Sequence, residues 1–344
     1  MPPNPEVPSF AVIPGAQVHR VLDGRHEEVV RLVESAYRAH GAGDTVNPPS
    51  SFLRFPDRPA SRIIALPASL GGPAPVDGIK WISSFPGNTA AHIPRASAVL
   101  ILNDPTTGYP LACLESSIIS AARTAASAAL AADRLSQGRD RPRRIGFFGT
   151  GLIARFIHQY LTGTGWTFEE THIHDLSDEH AHGFARHLEH EGRNGTITLH
   201  TDPEHLIRSS DLVVFATVAA APHVTDPAWF THNPLVLHVS LRDLSPEVIL
   251  SATNIVDDID HCLKAETSPH LTEQTTGNRE FIDGTLYDVL TGDLKIPHDR
   301  PVVFSPFGLG VLDLALGRHI HDTLRADGQL AVVDGFFHET RRYG

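Results

Sequence analysis

The sequence predicts an α/β protein in two parts: a doubly wound parallel-sheet domain and a discontinuous α+β domain built from both ends of the chain. Three observations predict this. Beyond the basic, Pro-containing "RDRPRR", short apolar strands alternate with helices, the pattern of a parallel sheet covered on both faces. Ahead of it, residues 47–114 read as strands broken by Pro, Gly and Asn. Near the end, Leu309 to Leu324 is amphipathic and can return to the first part. The expected limits are 1–125 with 310–344 for one domain and 126–309 for the other.

In the first part, Glu27 to His40 reads as a helix with Val29, Val30, Leu32, Val33 and Ala36 along one side. "SRIIAL", "GIKWIS", "ASAVLILN" and "YPLACLE" are the strands, with "NDPTTG" as a hairpin turn between the last two. Ser116 to Gly138 is a long Ala-rich helix ending at a glycine. In the second part, strands are predicted at Ile145–Phe148, His172–His174, Thr196–Leu199, Leu212–Ala216, Leu235–Val239 and Val302–Phe304.

Composition excludes several classes. A net charge of −12, spread along the chain, argues against nucleic acid or an anionic membrane as the main partner. No apolar run approaches a membrane span, and "MPPNPEVPSF" lacks the features of a signal peptide. The two cysteines, Cys113 and Cys262, are too few for a disulfide framework, and a reducing cytoplasm is the simplest reading. The 22 histidines are densest in "HIHDLSDEHAHGFARHLEHEG". His180 and His187 fall there among Asp, Glu and Arg without a metal-ligand spacing, so a solvated helix face and no metal are expected.

Gly149-x-Gly151-x-x-Ala154 follows a strand and opens a helix, the context a dinucleotide fingerprint requires. Gly149 permits the turn, Gly151 lets the backbone approach a pyrophosphate, and Ala154 lets the helix pack on the strand. The phosphates then meet free N–H groups at the helix amino terminus. Asp175 ends the next strand, where a carboxylate accepts from ribose hydroxyls and repels a 2′-phosphate. A Rossmann-type domain holding NAD is therefore expected. Thr217 lies just past a buried strand, at the edge where such sheets bind ligands.

Three charged residues stand out in apolar surroundings. Lys80 lies inside the strand "GIKWISSFPGN", sharing a face with Ile82; a lysine there either snorkels to solvent or faces a site. Arg123 falls in the stripe of Ile119, Ala126 and Leu130, so it needs an anion, either a ligand or an internal partner such as Glu115. Asp243 follows a strand in "LVLHVSLRDLSPEVI", where it can act as a base or cap the turn.

"GIKWISSFPGN", "SAARTAASAALAADRL", "FFGTGLIA" and "HVSLRDLSPEVI" occur in the order of the signature segments of the ornithine cyclodeaminase/mu-crystallin family, which the chain resembles over nearly its whole length. "FLRFP", "RIIALPA", "RASAVLILND" and "NIVDDIDHC" resemble the branch that makes 2,3-diaminopropionate for siderophores and other peptide natural products. The resemblance implies that Lys80 and Asp243 are catalytic and that Lys80 and Arg123 hold substrate. It implies a second clamp at Arg54, with Arg62 a near competitor. Thr150, Leu152, Ile153, Ser240, Leu241 and Arg95 complete the expected cofactor contacts. "DLSPE" after the aspartate and "SPFG" at Ser305–Gly308 depart from the ornithine-cyclising pattern.

For this branch the implied substrate is N-(2-amino-2-carboxyethyl)-L-glutamate, supplied by a PLP-dependent synthase. NAD⁺ takes hydride from the glutamyl α-carbon, and hydrolysis of the imine releases 2-oxoglutarate and 2,3-diaminopropionate. Three carboxylates call for cationic clamps. Asp243 and Lys80 are candidates for the proton transfers, and burial should lower the Lys80 pKa. The family also implies a homodimer formed through the first domain. Ornithine cyclodeamination, reduction of a cyclic imine or ketimine, and ligand binding without turnover are the alternatives.

Overall fold

The structure, a computed structural model, describes residues 7–192 and 194–338. The chain forms two compact units. One takes the chain up to Arg123 and again from Leu309; the other runs from Thr124 to Gly308. No helix among the described residues is long and apolar enough to cross a membrane.

The first unit contains β1 (Ala11–Ile13), α1 (Gly15–Leu22), α2 (His26–Gly41), β2 (Thr45–Val46), β3 (Ser51–Phe55), β4 (Arg58–Leu70), β5 (Val76–Ser84), β6 (Ala96–Asn103) and β7 (Pro110–Glu115), and then the start of α3 (Ser117–Leu135). The sheet order is β1-β7-β6-β5-β4-β2, with β3 also on β4. β1 pairs with β7 in parallel, and the other pairs are antiparallel. The β6–β7 turn closes because Asp104 Oδ1 accepts from the Thr107 N–H (2.7 Å) and hydroxyl (2.7 Å). β1 and β2 were not anticipated from sequence; they have three and two residues, too short to show a period, while β3 falls inside the expected strand region without having been singled out.

Glu115 does not partner Arg123. Its Oε1 accepts from the Ser117 N–H at 2.7 Å and its Oε2 from the Ile118 N–H at 3.3 Å. The carboxylate satisfies amides that α3 leaves free at its start, and its charge suits the positive end of the helix.

The second unit continues with β8 (Arg144–Phe148), α4 (Leu152–Gly163), β9 (Phe168–His174), α5 (Asp178–Glu191), β10 (Asn194–Leu199), α6 (Pro203–Arg208), β11 (Leu212–Phe215), β12 (Leu235–His238), α7 (Pro246–Leu250), β13 (Thr253–Val256), α8 (Ile259–Cys262), α9 (Ser268–Thr276), β14 (Ile282–Thr285), α10 (Leu286–Thr291) and β15 (Val302–Ser305). Its strands lie in the order β10-β9-β8-β11-β12-β15-β13-β14, all parallel. β11, β12, β13 and β15 are buried at every position, as covering on both faces requires. The order reverses between β8 and β11, which makes their carboxyl ends the switch point of a doubly wound sheet. β13 and β14 were missed from sequence, because Thr253, Asn254, Asp283 and Gly284 interrupt the apolar run.

α11 (Gly310–Ala326) brings the chain back to the first unit. It is less amphipathic than expected, since every residue from Gly310 to Gly317 is buried. Two glycines explain how it seats. A Cβ at Gly317 would meet Leu100 Cδ2 at 2.3 Å, and one at Gly310 would meet the Ala68 Cβ at 3.1 Å. Their absence brings the helix axis close to β4 and β6, and with it Asp313, which lies between them on the same helical face.

Candidate active site

In the first unit, ladder register places Lys80 opposite Leu66 and Leu100, so its side chain rises from the face covered by α11. It does not snorkel. Lys80 is 2% exposed, and its Nζ donates to Asp313 Oδ2 at 2.6 Å. Arg123 Nε lies 3.4 Å from the same oxygen, with the arginine side chain 12% exposed. Burial, joined by the Arg123 charge, lowers the Lys80 pKa to about 8 against the pull of Asp313. Asp313 Oδ1 is buried and has no hydrogen-bond partner among the described residues.

The cluster is therefore two cations around one carboxylate, with one acceptor oxygen unmatched. A positive excess in a dry site favours an anion beside the cations, and the idle oxygen suits an N–H donor. The same face continues toward both candidate clamps. Arg62 pairs with Ser84 across β4–β5 and with Arg54 across β3–β4. Lys80, Ser84, Arg62 and Arg54 thus project from one side of the sheet. Arg54 is exposed and sits 5.1 Å from the Phe52 ring. Arg95, expected at the cofactor, belongs to the first unit and donates from Nη1 to Ser84 Oγ at 2.8 Å.

In the second unit, the glycine turn joins β8 to α4. Gly149 has φ +81°, and a Cβ there would come within 2.8 Å of the Ala216 carbonyl oxygen. Gly151 differs: its φ is −77°, and a Cβ would meet nothing within 4 Å. Among the described residues no contact demands glycine at 151, so the open space suits a group from outside. A dinucleotide pyrophosphate fits that space at the amino terminus of α4, with Thr150, Leu152 and Ile153 in the same turn. Ala154 is fully buried.

Asp175 is the residue directly after β9. Its Oδ2 accepts from the Thr150 N–H (3.0 Å) and hydroxyl (2.7 Å), and its Oδ1 accepts from the Ser177 N–H (3.0 Å). These bonds hold the turn in shape and leave about one lone-pair site for a ribose hydroxyl.

Asp243 lies past β12, fully buried. The Thr217 hydroxyl donates to Oδ1 and the Ser240 hydroxyl to Oδ2. His223 Nε2 donates to Oδ1 at 3.0 Å. His238 Nε2 lies 3.3 Å from Oδ2 and accepts from the Asp243 N–H at 3.2 Å. Burial pushes the carboxyl up, but the hydrogen bonds from His223 and Ser240, with the His238 ring beside Oδ2, outweigh it and hold Asp243 well below the usual carboxylate range. Leu241, expected at the cofactor, accepts from the Ser268 N–H through its carbonyl at 2.8 Å.

Sequence reasoning missed Asp313, His223 and His238. Two of the three carried a signal. Asp313 is the one charge in the apolar "GVLDLALG", and His238 ends a strand that is otherwise apolar. The expected histidine-rich helix is α5, where His180 is exposed and His187 Nε2 lies 3.3 Å from Glu191 Oε1. Among the described residues, no group of three or more His, Cys, Asp or Glu could hold a metal ion.

A family model for the ornithine cyclodeaminase/mu-crystallin family matches residues 16–328. Over 307 residues the chain is 29% identical to N-((2S)-2-amino-2-carboxyethyl)-L-glutamate dehydrogenase of Staphylococcus aureus, covering 87% of this chain and 90% of that one. Its fold is similar to that of the Δ¹-pyrroline-2-carboxylate reductase of Thermococcus litoralis, solved with NADH and L-proline, at TM-score 0.85 and 21% identity, covering 94% and 99% of the chains. It is also similar to an archaeal alanine dehydrogenase dimer with bound NAD, at TM-score 0.83 and 23% identity, covering 95% and 100%. The glycine turn at the sheet's switch point, the lysine buried on its strand and a family match running through both units lead to one assignment: the chain belongs to the ornithine cyclodeaminase/mu-crystallin family.

Proposed function

We propose that this protein is an NAD-dependent oxidoreductase acting on a CH–NH bond. Its substrate is N-(2-amino-2-carboxyethyl)-L-glutamate, and its products are 2-oxoglutarate and L-2,3-diaminopropionate. The observation that carries the reading is the buried Lys80–Asp313–Arg123 cluster, on a sheet face that also bears Arg62 and Arg54. Two cations around one carboxylate suit a substrate with several carboxylates and an amine between them. Arg123 clamps one carboxylate, and Arg54 or Arg62 a second. The idle oxygen of Asp313 takes an amine N–H. Asp175 favours NAD over its 2′-phosphorylated form. When bound, NAD supplies the hydride acceptor. Lys80 and the Asp243 cluster supply the proton transfers, Lys80 with a pKa near the working pH. The identity to the S. aureus dehydrogenase supports this substrate over others of the family.

The protein acts as a homodimer in the cytoplasm. Val12, Val99 and Trp81 leave apolar surface on the side of the first sheet opposite Lys80, each more than a third exposed, which supports a partner there. The free thiols of Cys113 and Cys262 suit a reducing compartment. A PLP-dependent synthase supplies the substrate, and siderophore or peptide assembly consumes the diaminopropionate.

Absorbance at 340 nm tests the reading, with this substrate, L-alanine and L-ornithine each offered with NAD. NADH should form with the first, and 2-oxoglutarate should accumulate in equal amount. Proline and ammonia from ornithine, or no NADH at all, would overturn it.

A further inference from the structure

The second unit holds a histidine for which neither the sequence reading nor the family resemblance has a role. Asp243 is fully buried, so its carboxylate has no surface of its own to offer. His223 stands between it and solvent, with its side chain 40% exposed. Nε2 donates to Asp243 Oδ1 at 3.0 Å, and the His223 N–H donates to the Asp243 carbonyl at 3.0 Å. Ring and main chain are therefore tied to the same residue. Nε2 carries the hydrogen that the carboxylate accepts, so in the neutral ring Nδ1 holds the free lone pair. No protein group hydrogen-bonds Nδ1 among the described residues. The ring lies 6.2 Å from Phe148 and 6.4 Å from Phe215, the last residues of β8 and β11. It thus stands at the switch point, where a doubly wound sheet presents its ligand.

We propose that, of the second unit's residues, His223 is the group that exchanges protons with the reacting molecule, and that Asp243 is the positioning carboxylate behind it. The inference rests on the proposed oxidation. Hydride loss from the α-carbon leaves a C=N⁺H bond. Water adds to that carbon, a C–O bond forms, and the proton it sheds goes to His223 Nδ1. The imidazolium then returns this proton to the nitrogen. The C–N bond breaks, its electron pair staying with nitrogen, as the carbinol O–H proton passes to His223 Nδ1, neutral again by then, and C=O forms. No further oxidant is needed. A carboxylate held by three side-chain donors is a poor base but a good anchor, because it fixes the tautomer and steadies the imidazolium. The titratable groups around the ring are Asp243 in contact, His238 behind that carboxylate, and His174 across Phe148.

The test compares His223→Ala, His223→Gln and Asp243→Asn in the full-length protein. NADH affinity, read by fluorescence, should stay within about threefold of the parent and establish that the variants fold. Turnover should fall by about 10²–10⁴-fold in all three. Added imidazole should restore part of it to His223→Ala and none to the double variant with Asp243→Asn. Turnover of His223→Gln within threefold of the parent, or no rescue by imidazole, would overturn the proposal. The failure of the substrate reading looks different: the parent then makes no NADH from this compound, and the variants are compared on whichever amine it does oxidise. Nitrogen NMR of the His223 ring needs no substrate at all. It should report the Nε2–H tautomer in the parent and lose that preference in Asp243→Asn; an Nδ1–H tautomer in the parent would also overturn it.

Discussion

Asp313 in the first unit and Asp243 in the second are both completely buried, yet they are furnished in opposite ways. Asp313 stands between two cations, Lys80 at 2.6 Å and Arg123 at 3.4 Å, and one of its oxygens has no donor among the described residues. Asp243 has donors at both oxygens, two hydroxyls and the His223 ring, with His238 close by. The first cluster is electrically unbalanced and short of partners, the condition of a site that waits for a ligand. The second is satisfied and rigid, the condition of a site that holds another group in place. Buried charges of one kind thus serve two ends, and the inventory of their partners tells which.

The largest effect should come from breaking the first cluster at its lysine. Lys80→Ala should lower kcat by about 10³-fold or more, since the proposed function gives this one side chain the parts of clamp and proton carrier together. NADH affinity should hold, because no nucleotide contact is assigned to Lys80; turnover within tenfold of the parent would show that the cluster is structural. Next in size is Arg123→Lys. A point charge replaces the planar fork, so KM should rise about 10–100-fold with kcat changed much less. An unchanged KM would mean that the guanidinium serves Asp313 alone.

How much of this contrast could be read in the sequence follows from how local each signal is. The glycine turn, its helix and the acid at the end of the second strand are local, and Gly149, Gly151, Ala154 and Asp175 lie where the pattern put them. Lys80 and Arg123 announced themselves as charges at apolar positions. Asp313 is also a lone charge in an apolar run, but its pairing with them was not legible, since it lies 233 residues from Lys80 and approaches only because Gly310 and Gly317 let α11 down onto the sheet. Glu115, nearer in sequence, was the plausible wrong partner. It turned out to cap α3, the role open to a carboxylate beside a helix start. β13 and β14 were illegible because four-residue strands holding polar groups show no period.

The smallest and most discriminating change is Asp313→Asn, which keeps the shape of the side chain and removes its charge. In the parent, burial draws the Lys80 pKa down from 10.5 to about 8 while Asp313 pulls it up. Without that charge only the lowering influences, burial and Arg123, remain. The limb near pH 8 in the rate profile should therefore move toward acid, whereas Asp243→Asn should leave its position unchanged. Stability supplies an independent reading with a definite sign. Between about 8 and 10.5 the unfolded chain binds a proton on Lys80 that the folded chain does not, so folding is favoured increasingly as pH rises through that window. In Asp313→Asn the lower edge of the window drops, and Tm should begin its rise at lower pH than in the parent. Superimposable Tm–pH curves for the two proteins would mean that Asp313 does not govern the charge on Lys80, and the contrast between the two aspartates would lose its first half.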